Sequence, residues 1–539
     1  MIQNKQQFYD LLNCIYSSLS SHKTLHIVLQ RSLINDKTVL DIGSTLEKCT
    51  NLEDLILNLS YNLISCQGAS VLGSALEKCY NLKILVLTLN ANEIGEIGSS
   101  GLCSGLGKCI NLQDLKLYLS NNQIADAGAS GLGSGLANCI NLSNLTLDLI
   151  GNQITAQGLS GLCSALTSCT NLSNLVLFLT NNQISDEDAS SAFNLAKCTN
   201  LSNLTLYLNN NKIGVEFASL LGSALVNCTN ISYLNLDLSY NQIDDEGVSN
   251  LGQALASCTK ISNLTLIFNH NQIGEKGEFG LGTALAKCTN ISKLKLDLNQ
   301  NQIGAIGISH LDSALANCTN LSNLTLNISN NQINDEGVSE LCSALGKSTH
   351  FSNLTLDLCY NNISDKGVQG LGINLANCTN LSNLTLYLSN NQICTTGVSA
   401  LCSTLANITN LSKLELNLSH NQIGNQVQSG QGFALAKWTN LSYLFLDLSN
   451  NQIGDEDISD LGSALAQCTN LQYLMLLLYY NYIGDEGASE LGLALGKCTN
   501  LSQLTLWLNK NEINKPELLK IKSKYLKSKR LVVFKSIFY

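Results

Sequence analysis

An asparagine returns every 30 residues along most of this chain. Aligned on the residue that closes each L-x-L-x-L run, the column reads Asn62, Asn92, Asn122, Asn152, Asn182, Asn211, Asn241, Asn271, Asn301, Asn331, Asn361, Asn391, Asn421, Asn451, Asn481 and Asn511, sixteen copies with one interval of 29. Two residues after each asparagine stands isoleucine, from Ile64 to Ile513. Such self-similarity belongs to a chain in which each repeat buries its apolar face only against the repeats beside it. One Pro in 539 residues and the lack of a Ser/Pro-rich linker agree with one elongated body rather than a string of separate domains.

Within a repeat the hydrophobic period changes. The leucines before the asparagine alternate with period two, which predicts a strand with one buried face. After the isoleucine a turn is expected, as at Gly484-Asp485-Glu486-Gly487, followed by an apolar pair four apart, Leu491 and Leu495, on one face of a helix. Each repeat therefore reads strand, turn, helix, return. The 29-residue interval falls at Asp188–Cys198, where a helix is one residue shorter and the strand register survives.

Asn451, Ile453, Leu461, Leu465, Leu471, Leu474 and Leu476 stand at the offsets that make the chain resemble a leucine-rich repeat protein of the ribonuclease-inhibitor-like subclass, across roughly residues 25–534. One departure is systematic: an extra dipeptide such as Leu478-Tyr479 lengthens each strand without changing the face of any side chain. The resemblance implies an α/β horseshoe of about 17 repeats, with a parallel concave sheet and convex helices. It also implies that the asparagine amides bond backbone groups between repeats, which fits the need of buried strand ends for partners.

The ends read as caps. Residues 1–24, with Phe8, Leu11, Leu12 and Ile15, suggest a covering helix, and Leu25, Ile27, Leu29, Ser32 and Ile34 a degenerate first repeat. The solenoid proper is placed at 25–514. In the basic segment 515–539, Pro516 suits a helix start, with Ile521 and Tyr525 facing inward, and Leu531–Phe534 reads as a last strand.

The net charge is −10; that last segment holds eight basic residues against Glu517, a balance of +7, which leaves −17 for residues 1–514. A body so acidic, with Arg31 and Arg530 its only arginines, is poorly suited to nucleic acid. The start MIQNKQQFYDLLNCIYSSLSSHK has no apolar core behind a basic start, and no run of residues is long and apolar enough for a membrane span, so a cytoplasmic or nuclear monomer is expected. Twenty-one cysteines, an odd number, are expected as reduced thiols. Thirteen of them form a ladder from Cys49 to Cys498, in which Ser348, Ile408 and Trp438 substitute, so packing rather than metal or disulfide chemistry explains the column.

No catalytic, cofactor or metal motif emerges. Gly346-Lys347-Ser348 ends a predicted helix and has Leu341 where a phosphate loop needs glycine, and the six histidines are scattered. The informative positions are the ones packing does not dictate. Between the second and third leucines run Tyr118, Asp148, Phe178, Tyr207, Asp237, Asp297, Asp357, Tyr387, Asp447, Leu477 and Trp507, aromatics and aspartates where a merely solvated face would carry Thr, Ser, Lys and Glu. Phe445, Met475, Tyr479 and Tyr480 join Leu477 and Trp507 in a C-terminal cluster from three adjacent strands. The reading is a non-enzymatic scaffold that binds a basic protein partner on its concave face. The alternatives are a GTPase-activating protein similar to the Ran-directed class and a ribonuclease-inhibitor-like enzyme inhibitor.

Overall fold

In a computed structural model, the described residues are 5–8, 22–187, 189, 195, 198–307, 311, 315, 317–348, 350–424, 438, 440–514 and 533–537. The chain divides into two compact units, Met1–Gln272 and Ile273–Tyr539. In the first, parallel strands run β1 (Lys5–Phe8), β2 (Thr24–Val28), β3 (Asp54–Asn58), β4 (Ile84–Thr88), β5 (Asp114–Tyr118), β6 (Asn144–Asp148), β7 (Asn174–Phe178), β8 (Asn203–Tyr207), β9 (Tyr233–Asp237) and β10 (Asn263–Ile267). In the second they run β11 (Lys293–Asp297), β12 (Asn323–Asn327), β13 (Asn353–Asp357), β14 (Asn383–Tyr387), β15 (Lys413–Asn417), β16 (Tyr443–Asp447), β17 (Tyr473–Leu477), β18 (Gln503–Trp507) and β19 (Val533–Ile537). Equivalent residues of successive repeats face each other, for example Leu384 opposite Leu414.

The strand leucines are the core. Leu384, Leu386 and Leu388 are fully buried, and so are their counterparts in most repeats. The alternation of buried and half-buried residues along β14 follows from the period of two. Parallel pairing continues past each strand: Leu388 and Asn390 donate backbone N–H bonds to Asn417 and Ser419 at 2.8 and 3.0 Å. The extra dipeptide does not lengthen the strand as expected, since β17 ends at Leu477 before Leu478-Tyr479, but backbone pairing between repeats continues through it. Across the 29-residue interval the register of β7 and β8 is kept, while the segment itself lies mostly outside the described residues.

Each asparagine serves two repeats. The Asn391 amide donates to the carbonyls of Leu358 and Leu388, both at 3.0 Å. Its Oδ1 accepts from Ile363 at 2.9 Å and Asn361 at 3.1 Å. The ladder is therefore a device for satisfying buried backbone groups where the chain leaves the strand.

Helices take in most of the expected turn. Asp485, Glu486 and Gly487 form the first turn of the helix Asp485–Leu495 behind the cap residue Gly484, rather than a separate turn. The reason is a carboxylate from the preceding repeat. Asp335 accepts the N–H groups of Ser364 and Gly367 at 2.7 and 3.1 Å, and Asp36, Asp126 and Asp186 hold the corresponding amides in their own neighbouring repeats. Negative charge at a helix start is stabilising, so much of the acidic surplus is architectural.

Helices of successive repeats pack side by side. In the helix Gly95–Leu106, Gly105 lies so close to the carbonyl of Gly73 that any Cβ would collide with it, which explains glycine in a helix despite its poor propensity. The thiol ladder is buried at the helix ends, and all described cysteines are free. Cys378 Sγ donates to Leu345 O of the previous repeat at 3.3 Å, and Ser348 makes the same bond to Leu315 O at 3.1 Å. Burial pushes Cys378 up to about 11 and Cys139 up to about 12.

Two expectations at the ends need correction or fall outside view. Phe8 lies in β1, paired in parallel with Ile27, not in a covering helix. Leu11, Leu12 and Ile15, like Pro516, Ile521 and Tyr525, lie outside the described residues. The last strand is Val533–Ile537, displaced from the predicted Leu531–Phe534 and paired with β18.

Candidate functional site

In the second unit, β15, β16, β17 and β18 present three parallel columns opposite the leucine core. The first column runs Lys413, Tyr443, Tyr473 and Gln503; the second Glu415, Phe445, Met475 and Thr505; the third Asn417, Asp447, Leu477 and Trp507. Parallel register places like positions side by side, so aromatic residues in adjacent repeats stack. The Tyr443 and Tyr473 rings lie 4.3 Å apart and within 4° of parallel. Lys413 Nζ stands 4.9 Å over the Tyr443 ring and 2.9 Å from Glu415 Oε1. Burial and the neighbouring Tyr473 phenol push Tyr443 up to about 12, keeping it a neutral donor.

Beyond the third column, the Tyr479 ring lies 6.1 Å from Trp507 and 6.0 Å from Tyr480. Phe445 and Met475 are half-buried between these groups on the same face. The expected C-terminal cluster is thus brought together, with one difference: Leu477, flanked by its register partners Asp447 and Trp507, is only 7% exposed. Lys413, Tyr443 and Tyr473 escaped notice in the sequence, where only the second and third columns drew attention, and Glu415 escaped because its column neighbours Phe445 and Met475 are apolar. The signal for the first three was the first free position of each strand, which packing also leaves open.

The first unit repeats the motif on a smaller scale. Phe178 and Tyr207 stack at 4.8 Å and 3°, while Tyr118 is half-buried on β5. Tyr387, on β14 of the second unit, is also half-buried, and burial followed by Glu415 and Asp357 raises its phenol.

The aspartates behave differently. Asp148, Asp237, Asp297, Asp357 and Asp447 each turn one carboxylate oxygen to the backbone N–H two residues on, at 3.0–3.1 Å. Asn58, Asn327 and Asn417 make the same bond. This local turn stops the strand and explains why Asp and Asn share the column. Asp148 and Asp447 are accordingly only 7% and 6% exposed, and burial raises Asp297 and Asp447 above the ordinary carboxylate range. Asp-Leu-Ser at 447–449 and Asn-Leu-Ser at 417–419 carried that signal in the sequence.

Among the described residues no cluster of three or more His, Cys, Asp or Glu is placed to hold a metal ion, and no helix is long and apolar enough to cross a membrane.

Eight stretches, residues 111–133, 141–163, 230–252, 320–342, 352–372, 380–402, 411–426 and 444–462, match the family model described as Leucine Rich repeat; together they cover less than half of the chain. No curated protein sequence matches the chain. Among solved structures, one titled "Crystal structure of TLR13-ssRNA13 complex" is similar at 18% identity and a TM-score of 0.49, covering 99% of this chain and 65% of that one. With a parallel strand, an asparagine and a helix recurring in register, each unit is built as a leucine-rich-repeat solenoid.

Proposed function

We propose that this chain is a non-enzymatic scaffold of the ribonuclease-inhibitor-like subclass that binds a basic protein partner through the strand face of its second unit. Leucine-rich repeats generally serve protein–protein interaction, and the α-helical second half of most described repeats supports the subclass. The observation that carries the reading is the aromatic floor of Tyr443, Tyr473, Phe445, Tyr479 and Trp507 on three paired strands. Half-buried aromatic groups clustered in this way supply contact area that a partner can desolvate fully. The floor already holds one ammonium, that of Lys413 over Tyr443 beside Glu415, and a lysine or arginine from a partner finds the same chemistry there. Asp237, Asp297 and Asp357 contribute long-range attraction, while the buried Asp148 and Asp447 serve the turn. A reducing compartment such as the cytoplasm suits the free thiols.

The test is affinity capture from the native host with mass spectrometry, followed by titration of the purified partner against Tyr443→Ala, Tyr473→Ala and Trp507→Ala. The expected outcome is a basic, salt-dependent partner whose Kd rises at least tenfold in each variant, since aromatic anchors buried on binding typically carry about 2 kcal/mol. A partner that binds all three variants unchanged refutes the assignment.

A further inference from the structure

One residue before each ladder asparagine, the backbone is left-handed throughout: φ lies near +55° at Tyr360, Asn390, His420, Asn450 and Tyr480. Asparagine and glycine tolerate that region; a bulky aromatic side chain is strained there. The fold itself therefore favours Asn, which neighbouring repeats use, tolerates His, and gives no reason for Tyr. Yet Tyr360 and Tyr480 project with 58% and 52% of their surface exposed, and His420 is also exposed. Their backbones are pinned by N–H bonds to Ser389, Asn509 and Ser449 in the following repeats, so the points from which the rings project recur at fixed spacing.

Between residues 360 and 480 the column alternates Tyr360, Asn390, His420, Asn450, Tyr480, an aromatic ring at every second repeat, or about 9.6 Å along the sheet from the ordinary strand spacing, whereas Tyr240 and His270 of the first unit stand in adjacent repeats and stack. Two residues further along the chain runs a second exposed column, Gln392 and Gln422 with Tyr482 at 60% exposure. This edge carries flat rings and primary amides, which both donate and accept, and Asn362, Gln392, Gln422 and Gln452 put no charge into it. An extended sugar polymer repeats along its length as this edge does. Rings at alternate repeats fit the faces of alternate sugars, and amides fit hydroxyls that likewise donate and accept.

We infer that the strand-exit edge of the second unit, built on Tyr360, His420 and Tyr480, is a binding site for a neutral, extended β-linked polysaccharide. This site adjoins the aromatic floor at Tyr480, whose ring lies 6.0 Å from Tyr479, but it does not depend on the reading given for that floor.

The test is affinity electrophoresis of the full chain through gels containing hydroxyethylcellulose or glucomannan, with pullulan and heparin gels alongside. The expected result is retardation by at least one of the two β-linked polymers and by neither control. The triple variant Tyr360→Asn/His420→Asn/Tyr480→Asn, which places the locally preferred residue at each strained position, loses retardation at least tenfold while its thermal midpoint holds or rises. Tyr360→Phe/Tyr480→Phe keeps the rings and keeps the retardation. The proposal is overturned if neither β-linked polymer retards the protein, if heparin alone does, or if the triple variant is retarded like the parent chain.

Discussion

Replacing Asn391 by alanine tests the central structural claim, that the asparagine column holds backbone groups rather than filling space. Asn391 is 8% exposed and its amide connects three backbone segments. Alanine removes the acceptor for the N–H groups of Ile363 and Asn361 and the donor for the carbonyls of Leu358 and Leu388. An orphaned buried group costs about 1–3 kcal/mol, and water entering the edge relieves part of that cost, so a local loss of about 3 kcal/mol is expected. Because repeats couple chiefly to their neighbours, the loss stays local instead of lowering one global midpoint.

Amide hydrogen exchange reads this directly. A local loss of about 3 kcal/mol corresponds to roughly a hundredfold faster exchange at Ile363 and Asn361 when exchange follows local opening. Val39, in the first unit, bonds to Asn35 far along the chain and keeps its rate. Gln392→Ala, at the exposed position next in sequence, is the control and leaves both amides unchanged. If Ile363 exchanges at the parental rate in Asn391→Ala, the ladder is not what satisfies that amide; if every amide in both units accelerates equally, the nearest-neighbour picture fails.

Three further outcomes follow from the same contacts. Cys378→Ser should cost less than about 1.5 kcal/mol in urea unfolding, because Ser348 already makes the equivalent bond, whereas Cys378→Leu should cost more through overpacking. Asp335→Ala should destabilise the helix Asp365–Leu375 by about 1–2 kcal/mol, and hydrogen exchange at Gly367 should report it, since that amide loses its carboxylate partner. Asp447→Asn should match or exceed the parent in stability at neutral pH: burial raises the Asp447 pKa in the folded state, so ionisation opposes folding, and the asparagine keeps the acceptor for Ser449. The sign fixes the window. The parent's relative stability is highest below the ordinary aspartate value of 3.8 and falls as pH rises through the higher folded value, so urea midpoints of the two proteins should diverge on going from acid to neutral pH.

The period was legible because backbone demands repeat with the chain. Leu384, Asn391 and Ile393 meet the same geometric requirement in every repeat, and a requirement that recurs writes itself into a column. What stayed hidden were partnerships that skip a repeat boundary. Asp335 reads as an exposed helix-start acid until the neighbouring turn is placed against it, and its bonds to Ser364 and Gly367 span 29 and 32 residues. Cys378 is likewise a small buried residue in the sequence and a thiol donor to Leu345 only in three dimensions. At the N-terminus the apolar spacing of Phe8, Leu11, Leu12 and Ile15 suited a helix, but an open sheet edge beside β2 offers Lys5–Phe8 a full set of backbone partners, and edge pairing prevails for those four residues.

The same distinction separates architecture from recognition on the strand face. An aspartate and a tyrosine at outward strand positions look equivalent in the sequence, both being residues the leucine core does not require. In the structure Asp447 spends its carboxylate on Ser449 and lies buried, while Tyr443 spends its ring on Tyr473 and leaves one stacked face toward Lys413. A carboxylate satisfied by its own backbone contributes little to a partner beyond a distant field, and burial reduces even that by favouring the protonated form. Aromatic stacking leaves surface that is still apolar and still accessible, and neighbours in register enlarge it rather than consume it. Recognition on a parallel repeat surface should therefore concentrate where adjacent repeats carry rings, at Phe178 with Tyr207 and at Tyr443 with Tyr473, and not where they carry acids.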